Sequence, residues 1–307
     1  MPYCDRQRKV TTAVLGLACS FLMMTAARGA EPLSIAIIDH QDPWTETKGL
    51  GESLADIRQS PTDLTAGLLA GGAVKLDGFQ VLIIGSLCTE NSAIHEALEK
   101  AGPHLRSFVA GGGVVIIFTQ ADQNRANEGW LEPPAVARRG DSDFAAVQRV
   151  QTAHPIFTSP EAISDADLSG WSYNKGWASS WESFEVFEQV AVLAGNHATA
   201  PTLGTIIEAG WGRGRVLLLA MAPDKARQVG NEQAKAQASR LMRNLLQYAL
   251  DVRDGRAGPV AVYTSGGYAG PIKGCVFHDK NANGAREAGE PGIAGVGVSD
   301  TLDLVLT

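Results

Sequence analysis

The sequence predicts an α/β fold of flavodoxin-like type, a parallel sheet between two helical layers, followed by the start of a β-sandwich. Three observations lead to this expectation. Short apolar runs alternate with a segment of helical periodicity, a glycine triplet precedes one of the runs, and an asparagine-containing loop lies near the C-terminus. Runs that are apolar at nearly every position are typical of strands buried on both faces of a parallel sheet.

The first half of the α/β domain contains three predicted strands and one helix. Strands are expected in "LSIAIIDH" (33–40), "FQVLIIGS" (79–86) and "VVIIFTQ" (114–120). Between 92 and 109 the apolar residues Ile94, Leu98, Leu105 and Phe108 recur at roughly helical spacing, and the glycines at 111–113 end that helix. The order strand, helix, glycine turn, strand indicates a βαβ crossover.

The second half contains three more strand candidates and a closing helix. The strands are expected at 190–195, 202–210 and 214–222, with "GWGRG" forming a tight hairpin between the last two. A helix from about 231 to 250 carries its leucines on one face. Residues 31–252 are therefore expected to form one three-layer domain.

The first thirty residues have the pattern of a secretory signal peptide. Three basic residues precede an apolar run from Val10 to Met24, and small residues follow it. Removal of residues 1–30 would move the net charge from −7 to about −10. The mature chain is thus expected to be secreted, or to lie in the periplasm or cell envelope, without a transmembrane span. An uncleaved anchor and a lipoprotein modified at Cys19 are the alternatives.

Charge and cysteine content exclude two further classes. An acidic exported chain is a poor binder of nucleic acid. Two of the four cysteines lie in the signal segment, and the other two, Cys88 and Cys275, fall in different predicted domains. A disulfide scaffold is therefore not expected.

Four motifs follow one another in the α/β domain: "LDGFQVLII", "AGGGVVIIF", "HPIF" at 154–157, and "GWGRGRVLLLAM" before the final helix. In the order of these motifs the domain resembles the trehalose-utilisation (ThuA-like) branch of the class I glutamine-amidotransferase-like superfamily. The resemblance spans about two thirds of the chain. The motifs are structural ones, so the resemblance implies the fold more than an activity.

The nucleophile of an amidotransferase is missing from the expected place. Such enzymes carry a cysteine in a G-x-C-x-G turn that follows a strand. Here the strand at 114–118 continues as "TQADQN", which contains neither cysteine nor glycine. Cys88 follows another strand, but a lone cysteine is more often a small buried hydrophobe. We therefore expect no glutamine hydrolysis and assign no catalytic residue.

Polar residues at the predicted strand ends are the first candidates for a ligand site, because open α/β sheets bind ligands beyond the carboxyl ends of their strands. These residues are Asp39, His40 and Trp44 after the first strand, with Asp42 beside them, and Gln120 after the third, with Thr119 and Asp122 beside it. The alternative is that these polar side chains cap the helices that follow.

The segment "WSYNKGWASSW" (171–181) supplies the second set of candidates. Trp171 and Trp177, with Tyr173 and Trp181, could form a stacking surface for a sugar. The alternative is a small aromatic core beneath a long loop. His154 in "HPIF" is expected to fix a turn rather than to act in acid–base chemistry.

The segment 279–290 matches the twelve-residue calcium loop D-x-[DN]-x-[DN]-G-x5-E completely. The expected ligands are Asp279, Asn281, Asn283, the backbone carbonyl of Ala285, Glu287 and Glu290. Gly284 permits the sharp bend that the loop requires. A turn without an ion is the alternative.

The flanks of this loop are β-like, and "GCVFHDKNANGAREAGEPGIAGVGVSD" resembles the opening of the B-type β-sandwich domain of serine-aspartate-repeat surface proteins. It also resembles the N-terminal module of secreted calcineurin-like phosphoesterases. The resemblance implies that calcium stiffens a spacer domain. With a linker at 253–270, residues 271–307 are expected to be the incomplete start of this domain, because two strands alone are marginally stable.

Together these features predict an exported, ligand-binding α/β domain without amidotransferase activity, joined to a calcium-stabilised spacer. The expected ligand is a small molecule, with a carbohydrate as the candidate. Two enzymatic alternatives stay open at this point. The chain could be the N-terminal fragment of a secreted calcineurin-like metallophosphoesterase with its catalytic domain beyond Thr307, or the α/β domain could process a sugar with Asp39 and His40.

Overall fold

A computed structural model describes residues 32–120, 145–174, 176, 178–186, 190–195 and 203–260, together with the backbone of 135–138. Beyond 260 it describes the short pieces 263–264, 267–268, 278, 280, 291–293, 297–299 and 304–306. The expected signal segment at 1–30 and the calcium-ligand positions of the 279–290 loop lie outside the described residues.

The strands of the α/β domain are short. They are β1 (Ile35–Ile38), β2 (Thr62–Asp63), β3 (Val81–Ile84), β4 (Val114–Ile117), β5 (Ala135–Arg138), β6 (Gln148–Arg149), β7 (Ser183–Val186), β8 (Ala191–Gly195), β9 (Leu203–Gly204), β10 (Ile206–Trp211) and β11 (Gly214–Leu219). The helices are α1 (Leu50–Asp56), α2 (Thr65–Leu69), α3 (Ser92–Ala110), α4 (Pro155–Thr158), α5 (Asp165–Leu168), α6 (Ala226–Val229) and α7 (Glu232–Arg253), with a 3-10 turn at Cys88–Glu90.

The central sheet has eight strands in the order β2-β1-β3-β4-β11-β10-β8-β6. The five strands from β2 to β11 are parallel, whereas β10, β8 and β6 are antiparallel to their neighbours. The fold is α/β, as predicted, but the expected parallel sheet is correct only for these five strands. The reason lies in the "GWGRG" turn, since a tight hairpin can join only antiparallel strands.

The two faces of the sheet are covered by different helices, which gives three layers. One buried cluster contains alternate residues of β1 and β3, such as Ile37 and Ile83, with Leu241 and Leu245 of α7. The other contains Ile38 and Ile84 with residues of α2 and α3, such as Leu68 and Leu98. Burial on both faces explains why these strands read as continuous apolar runs.

The predicted βαβ crossover is confirmed, and its glycine turn has an identifiable geometry. The helix α3 ends at Ala110, and Gly112 has a positive φ of 108°. The N–H of Gly112 donates to the carbonyl of Val109, and that of Gly113 donates to the carbonyl of Phe108. This is the bonding of a Schellman cap, in which glycine supplies the left-handed conformation.

The final helix α7 and the hairpin before it also agree with the sequence. Asn231 is the N-cap, and its side chain accepts a hydrogen bond from the N–H of Ala234 at 2.7 Å. The strands β10 and β11 pair antiparallel from Ile206 opposite Leu219 to Trp211 opposite Gly214. The run expected as one strand at 202–210 is divided, because β9 pairs with β7 in a separate three-stranded sheet.

The chain after α7 stays in contact with the domain up to Val260. Arg215 Nη2 donates to the carbonyl of Gly258 at 2.8 Å, and a Cβ on Gly210 would lie 3.0 Å from a methyl of Val260. The first part of the expected linker therefore packs on the β10–β11 hairpin.

Beyond residue 260 the described pieces form two short antiparallel pairs. Tyr263–Thr264 pairs with Gly267–Tyr268, and Gly297–Ser299 pairs with Leu304–Leu306. The β-sandwich itself stays a prediction. In the described part of the chain no helix is long and apolar enough to cross a membrane.

Candidate functional site

The strand order places a crevice at the carboxyl ends of β1 and β3. From β1 the chain continues to β2 on one side, and from β3 it continues to β4 on the other side. Such a change of direction separates the loops above the sheet and is where open α/β sheets bind ligands. Asp39 and His40 follow β1 on one side of this point, and Ser86 and Cys88, both fully buried, follow β3 on the other side.

A buried ion pair joins the turn after β11 to the loop after β1. Lys225 lies in the turn after β11, and its Nζ is 3.2 Å from Asp42 Oδ2, with both side chains fully buried. The same Nζ donates to the carbonyl of Thr47 at 2.8 Å. Burial disfavours the charged amine, but the nearby carboxylates of Asp224 and Asp42 prevail and raise its pKa. Lys225 is therefore a cation that fixes the β1–α1 loop.

Asp42 organises the loop from within. Its Oδ1 accepts hydrogen bonds from the N–H groups of Trp44 at 2.8 Å and Thr45 at 2.7 Å, and its Oδ2 accepts the Thr45 hydroxyl. Glu46 follows with a positive φ of 58°. Asp42 and Lys225 thus hold the backbone of the loop that carries Trp44.

Asp39, a candidate ligand residue, has its carboxylate occupied. Oδ1 accepts the N–H of Gly49 at 3.2 Å and Oδ2 accepts the N–H of Gly51 at 3.0 Å, at the start of α1. The side chain is 5% exposed. This is the helix-capping arrangement that the sequence left open as the alternative.

Gln120, the candidate after β4, is also bound within the protein. Its Oε1 accepts the N–H of Thr89 at 3.0 Å, and its Nε2 donates to the carbonyls of Gly85 at 2.8 Å and Phe118 at 2.9 Å. Its N–H donates to Glu182 Oε1 at 3.2 Å. Gln120 thus ties the ends of β3 and β4 together, and its amide has its hydrogen bonds inside the domain.

His40 is the candidate that stays accessible. It is half-buried, and Asn91 Nδ2 lies 3.4 Å from its Nε2. Asn91 Oδ1 is engaged as the N-cap of α3, accepting the N–H groups of Ala93 and Ile94, so the amide must turn its donor toward His40. His40 Nε2 must then accept, which requires a neutral ring. Burial, and after it the charge of Lys225, lower the pKa of His40, which also favours the neutral ring.

A second polar contact connects the turn after β3 to the turn after β11. Asp224 accepts the N–H of Ser86 at 2.8 Å and the Ser86 hydroxyl at 2.5 Å. Burial raises the pKa of Asp224, against the lowering effect of Lys225. The next residue, Leu87, has a positive φ of 60°, which is rare for a branched side chain and marks a tightly constrained turn.

Cys88 lies under this turn as a protonated thiol. Burial raises its pKa to about 12, and its Sγ donates to the carbonyl of Ile38 at 3.4 Å. The thiolate is the nucleophilic form of cysteine, so a fully buried thiol with this pKa is unreactive at neutral pH. The geometry agrees with the interpretation of Cys88 as a small hydrophobe.

The tryptophan candidates differ in exposure. Trp44 is 43% exposed, whereas Trp171 is 1% exposed, and its Nε1 donates to the carbonyl of Asp167 at 3.0 Å. Tyr173 and Trp181 are also buried and form an edge-to-face pair with ring centroids 5.1 Å apart. Trp171 therefore has the position of a core residue, which is the alternative that the sequence left open. Trp177 lies outside the described residues.

His154 fixes a turn, as the sequence predicts. Its Nδ1 accepts the N–H of Ile156 at 3.3 Å at the start of α4, so its Nε2 is the donor toward Glu208 Oε2, 3.3 Å away. Glu208 also receives the Tyr248 hydroxyl and lies 3.5 Å from Arg215 Nε. In this buried cluster His154 has a structural role.

Several residues of the edge were not selected from the sequence. Asn91, Asp224 and Lys225 all contact residues that were selected, or lie beside them. One signal could have found two of them, because "DK" at 224–225 follows the predicted strand at 214–222 just as "DH" follows the first strand. In the part of the chain that the structure describes, no group of three His, Cys, Asp or Glu could hold a metal ion.

Comparison with known proteins gives remote structural likenesses. No protein-family model and no curated protein matches the chain. A cytoplasmic protein from Salmonella typhimurium is 11% identical with a TM-score of 0.44, covering 70% of this chain and 98% of that one. A glutamine amidotransferase from Thermotoga maritima is 12% identical with a TM-score of 0.45, covering 71% and 98%. A β-galactosidase from Rahnella sp. R3 is 14% identical with a TM-score of 0.40, covering 70% and 31%.

Likenesses with such low identities and TM-scores say nothing about a binding site. The α/β class follows from the order and direction of the strands in this chain. The ligands that the carboxyl edge can bind depend on its own residues.

Removing the buried cation is expected to destabilise the domain strongly. Lys225→Met leaves the Asp42 carboxylate buried without its partner, and the free energy of unfolding should fall by about 3–5 kcal/mol. Urea denaturation followed by circular dichroism measures the loss. Arg227→Gln is the control, since Arg227 forms exposed ion pairs with Glu52 and Asp56 and should cost less than about 1 kcal/mol. Equal effects of the two variants would show that Lys225 does not fix the loop.

The neutral state of His40 predicts a pH dependence. Because the folded-state pKa of His40 is lowered, the unfolded chain takes up the proton first, and stability falls as the pH drops below about 6.5. His40→Asn should therefore lose less stability between pH 7.5 and pH 5.5 than the wild type does. The exposed His104 gives the control variant His104→Asn, whose stability should depend on pH as that of the wild type does.

A change on the other side of the contact tests the same assignment. Asn91→Asp places a carboxylate beside His40 and should raise the pKa of His40 in an NMR titration. No rise would contradict the assigned contact.

Proposed function

We propose that the α/β domain is an exported ligand-binding domain without amidotransferase activity, and that the crevice between β1 and β3 is its ligand site. The observation that carries the proposal is the contact of half-buried His40 with Asn91 across this crevice, at 3.4 Å between Nε2 and Nδ2. The pair lies where the strand order changes direction. The His40 ring is partly exposed, and its contact with Asn91 fixes its orientation, as expected of a preorganised binding group.

The chemistry of His40 and Trp44 favours a neutral ligand with several hydroxyl groups. A neutral imidazole has one ring nitrogen that donates and one that accepts, and the Asn91 amide accounts for the acceptor. Trp44 stands on the same loop with 43% of its surface exposed. An exposed indole face on a rigid loop suits the apolar face of a sugar ring. A carbohydrate therefore fits these groups better than a charged ligand does.

The positions of the other polar groups favour binding over chemistry. Asp39 uses both carboxylate oxygens at the start of α1, and Lys225 is bound to Asp42 and to the carbonyl of Thr47. A general acid or base must reach the reacting atom of a substrate, and these two buried groups do not reach the solvent. The version in which Asp39 and His40 process a sugar is therefore less favoured than binding alone.

The C-terminal part is proposed as a calcium-stabilised spacer. The support is the complete match of 279–290 to the calcium loop, together with one hydrogen bond between the residues that flank it. The N–H of His278 donates to the carbonyl of Pro291 at 3.0 Å. This contact brings the two ends of the segment together, as a closed ion-binding loop requires.

The ligand proposal is tested with a panel of mono- and disaccharides, including glucose, maltose and trehalose, by calorimetry and tryptophan fluorescence. We expect one sugar to bind saturably, and Trp44→Ala to weaken its affinity by about tenfold through the lost stacking. The melting temperature should change little, because Trp44 is exposed. Trp211→Phe is the control, since Trp211 lies at the opposite edge of the sheet and should leave affinity unchanged.

Two results would contradict this function. One is that no sugar binds at millimolar concentration; the other is that Trp44→Ala and His40→Asn leave the affinity of a bound sugar unaltered. Release of ammonia from glutamine would overturn the absence of amidotransferase activity.

Calcium should raise the stability of the C-terminal part and leave the α/β domain unchanged. After a chelator has removed bound metal from the full chain, a calorimetric titration with calcium should give a binding heat that saturates. Calcium should also protect 271–307 from proteolysis, because an ion that binds only the folded form stabilises it. Glu290→Gln removes the bidentate carboxylate and should weaken the affinity by about tenfold or more. Lys280→Gln is the control within the same loop. Absence of heat with the wild type would favour a turn without an ion.

A further inference from the structure

A cleft of about 720 Å³ lies at the amino ends of β3, β4 and β11, on the edge of the sheet opposite His40. Gln80 directly precedes β3, Gly113 directly precedes β4, and Arg213 directly precedes β11. Because these three strands are neighbours in the sheet, the three residues line one side of the cleft. Its volume lies in the range of pockets for small ligands, about 300–1,000 Å³.

Arg213 gives this cleft a positive charge. Its guanidinium is exposed and is held by one hydrogen bond, from Nη2 to the carbonyl of Gly111 at 2.6 Å. The other two lining arginines have carboxylate partners: Arg215 lies beside Glu208, and Arg253 beside Asp254. Asp254 lines the cleft as well, and its carboxylate is paired with Arg253 at 2.7 Å and with Arg256 at 2.6 Å. Among the residues that the structure describes, no carboxylate forms an ion pair with Arg213. In a chain of net charge −7, such a cation attracts anions to this place.

Two helices end at the same edge, and their carbonyl ends would ordinarily repel an anion. Here these carbonyls already accept hydrogen bonds. At the end of α3, the carbonyls of 107–111 accept the N–H groups of Gly111, Gly112, Gly113 and Arg213 and the Arg213 guanidinium. At the end of α7, the carbonyls of 250–252 accept N–H groups from residues 254–257. The acceptors of both helix ends are thus satisfied.

Two side chains of the cleft, Gln80 and Arg213, offer free donors. Gln80 Oε1 accepts the N–H of Ser34 at 3.0 Å, which leaves the Nε2 amide of Gln80 as a donor. The other N–H groups of the Arg213 guanidinium add a planar set of donors, which matches the two oxygens of a carboxylate. These donors suit a ligand that accepts hydrogen bonds.

The cleft also has apolar walls. Phe79 and Phe108 line it and are half-buried. The Phe108 ring is held close to the backbone, because a Cβ on Gly113 would lie 2.4 Å from it. Two partly exposed phenyl rings next to an arginine suit a ligand that has an apolar body and an anionic head.

We propose that this cleft is a second ligand site, which binds a small organic monocarboxylate with an aromatic body. The carboxylate lies on the Arg213 guanidinium, with Gln80 as a further donor. The aromatic body lies between Phe79 and Phe108. This site is independent of the sugar site, because the two lie at opposite ends of the parallel strands.

The test is a titration of the full chain with phenylacetate, followed by NMR or calorimetry, with acetate and 2-phenylethanol as partial ligands. We expect phenylacetate to bind with a Kd of about 1 mM or below, and both partial ligands to bind at least about tenfold more weakly, since each lacks one half of the recognition. Raising the salt concentration should weaken the binding, because the charge of Arg213 is exposed.

Variants decide whether Arg213 carries the binding. Arg213→Gln should weaken phenylacetate binding by at least about tenfold, and Arg213→Lys should have an intermediate effect because it keeps the charge and loses the planar donors. Arg58→Gln is the control, since Arg58 is exposed and does not line the cleft. The proposal is overturned if phenylacetate does not bind, if Arg213→Gln binds it as the wild type does, or if acetate or 2-phenylethanol binds equally well.

Discussion

The ion pair between Lys225 and Asp42 is the contact on which the arrangement of the carboxyl edge depends. Both side chains are fully buried, so neither charge is hydrated, and each lies beside an opposite charge inside the domain. Lys225 also holds the backbone of Thr47, and Asp42 holds the backbone of Trp44 and Thr45. One interaction between residues far apart in sequence therefore determines the conformation of the loop between β1 and α1.

The same edge holds several other buried polar groups. The Asp224 carboxylate holds Ser86, and Gln120 joins the ends of two strands. Each of these groups has hydrogen bonds within the domain, as the energetic cost of burying polar atoms demands. The less buried side chains of this edge include His40 and Trp44, on which the proposed sugar binding rests. Buried, hydrogen-bonded polar groups thus lie beneath the more exposed His40 and Trp44, an arrangement that agrees with the proposed binding.

The two ends of the parallel strands differ because helices begin at one end and finish at the other. At the carboxyl end, helix N-termini are capped by Asp39 and Asn91. At the amino end, backbone N–H groups donate to the terminal carbonyls of α3 and α7, and the Arg213 guanidinium donates to the carbonyl of Gly111. Among the described residues, the charge of Arg213 has no carboxylate partner.

The sequence by itself determined the local elements. The apolar runs that became β1, β3, β4 and β11, the glycine turn after α3 and the tight hairpin before β11 follow from short-range sterics and burial. The role of His154 in a turn also follows from its neighbours. Tertiary structure decided that Asp39 and Gln120 bind inside the domain, that Trp171 is a core residue, and that Lys225 reaches Asp42. These outcomes depend on which strands become neighbours, and no local pattern records contacts between residues nearly two hundred positions apart.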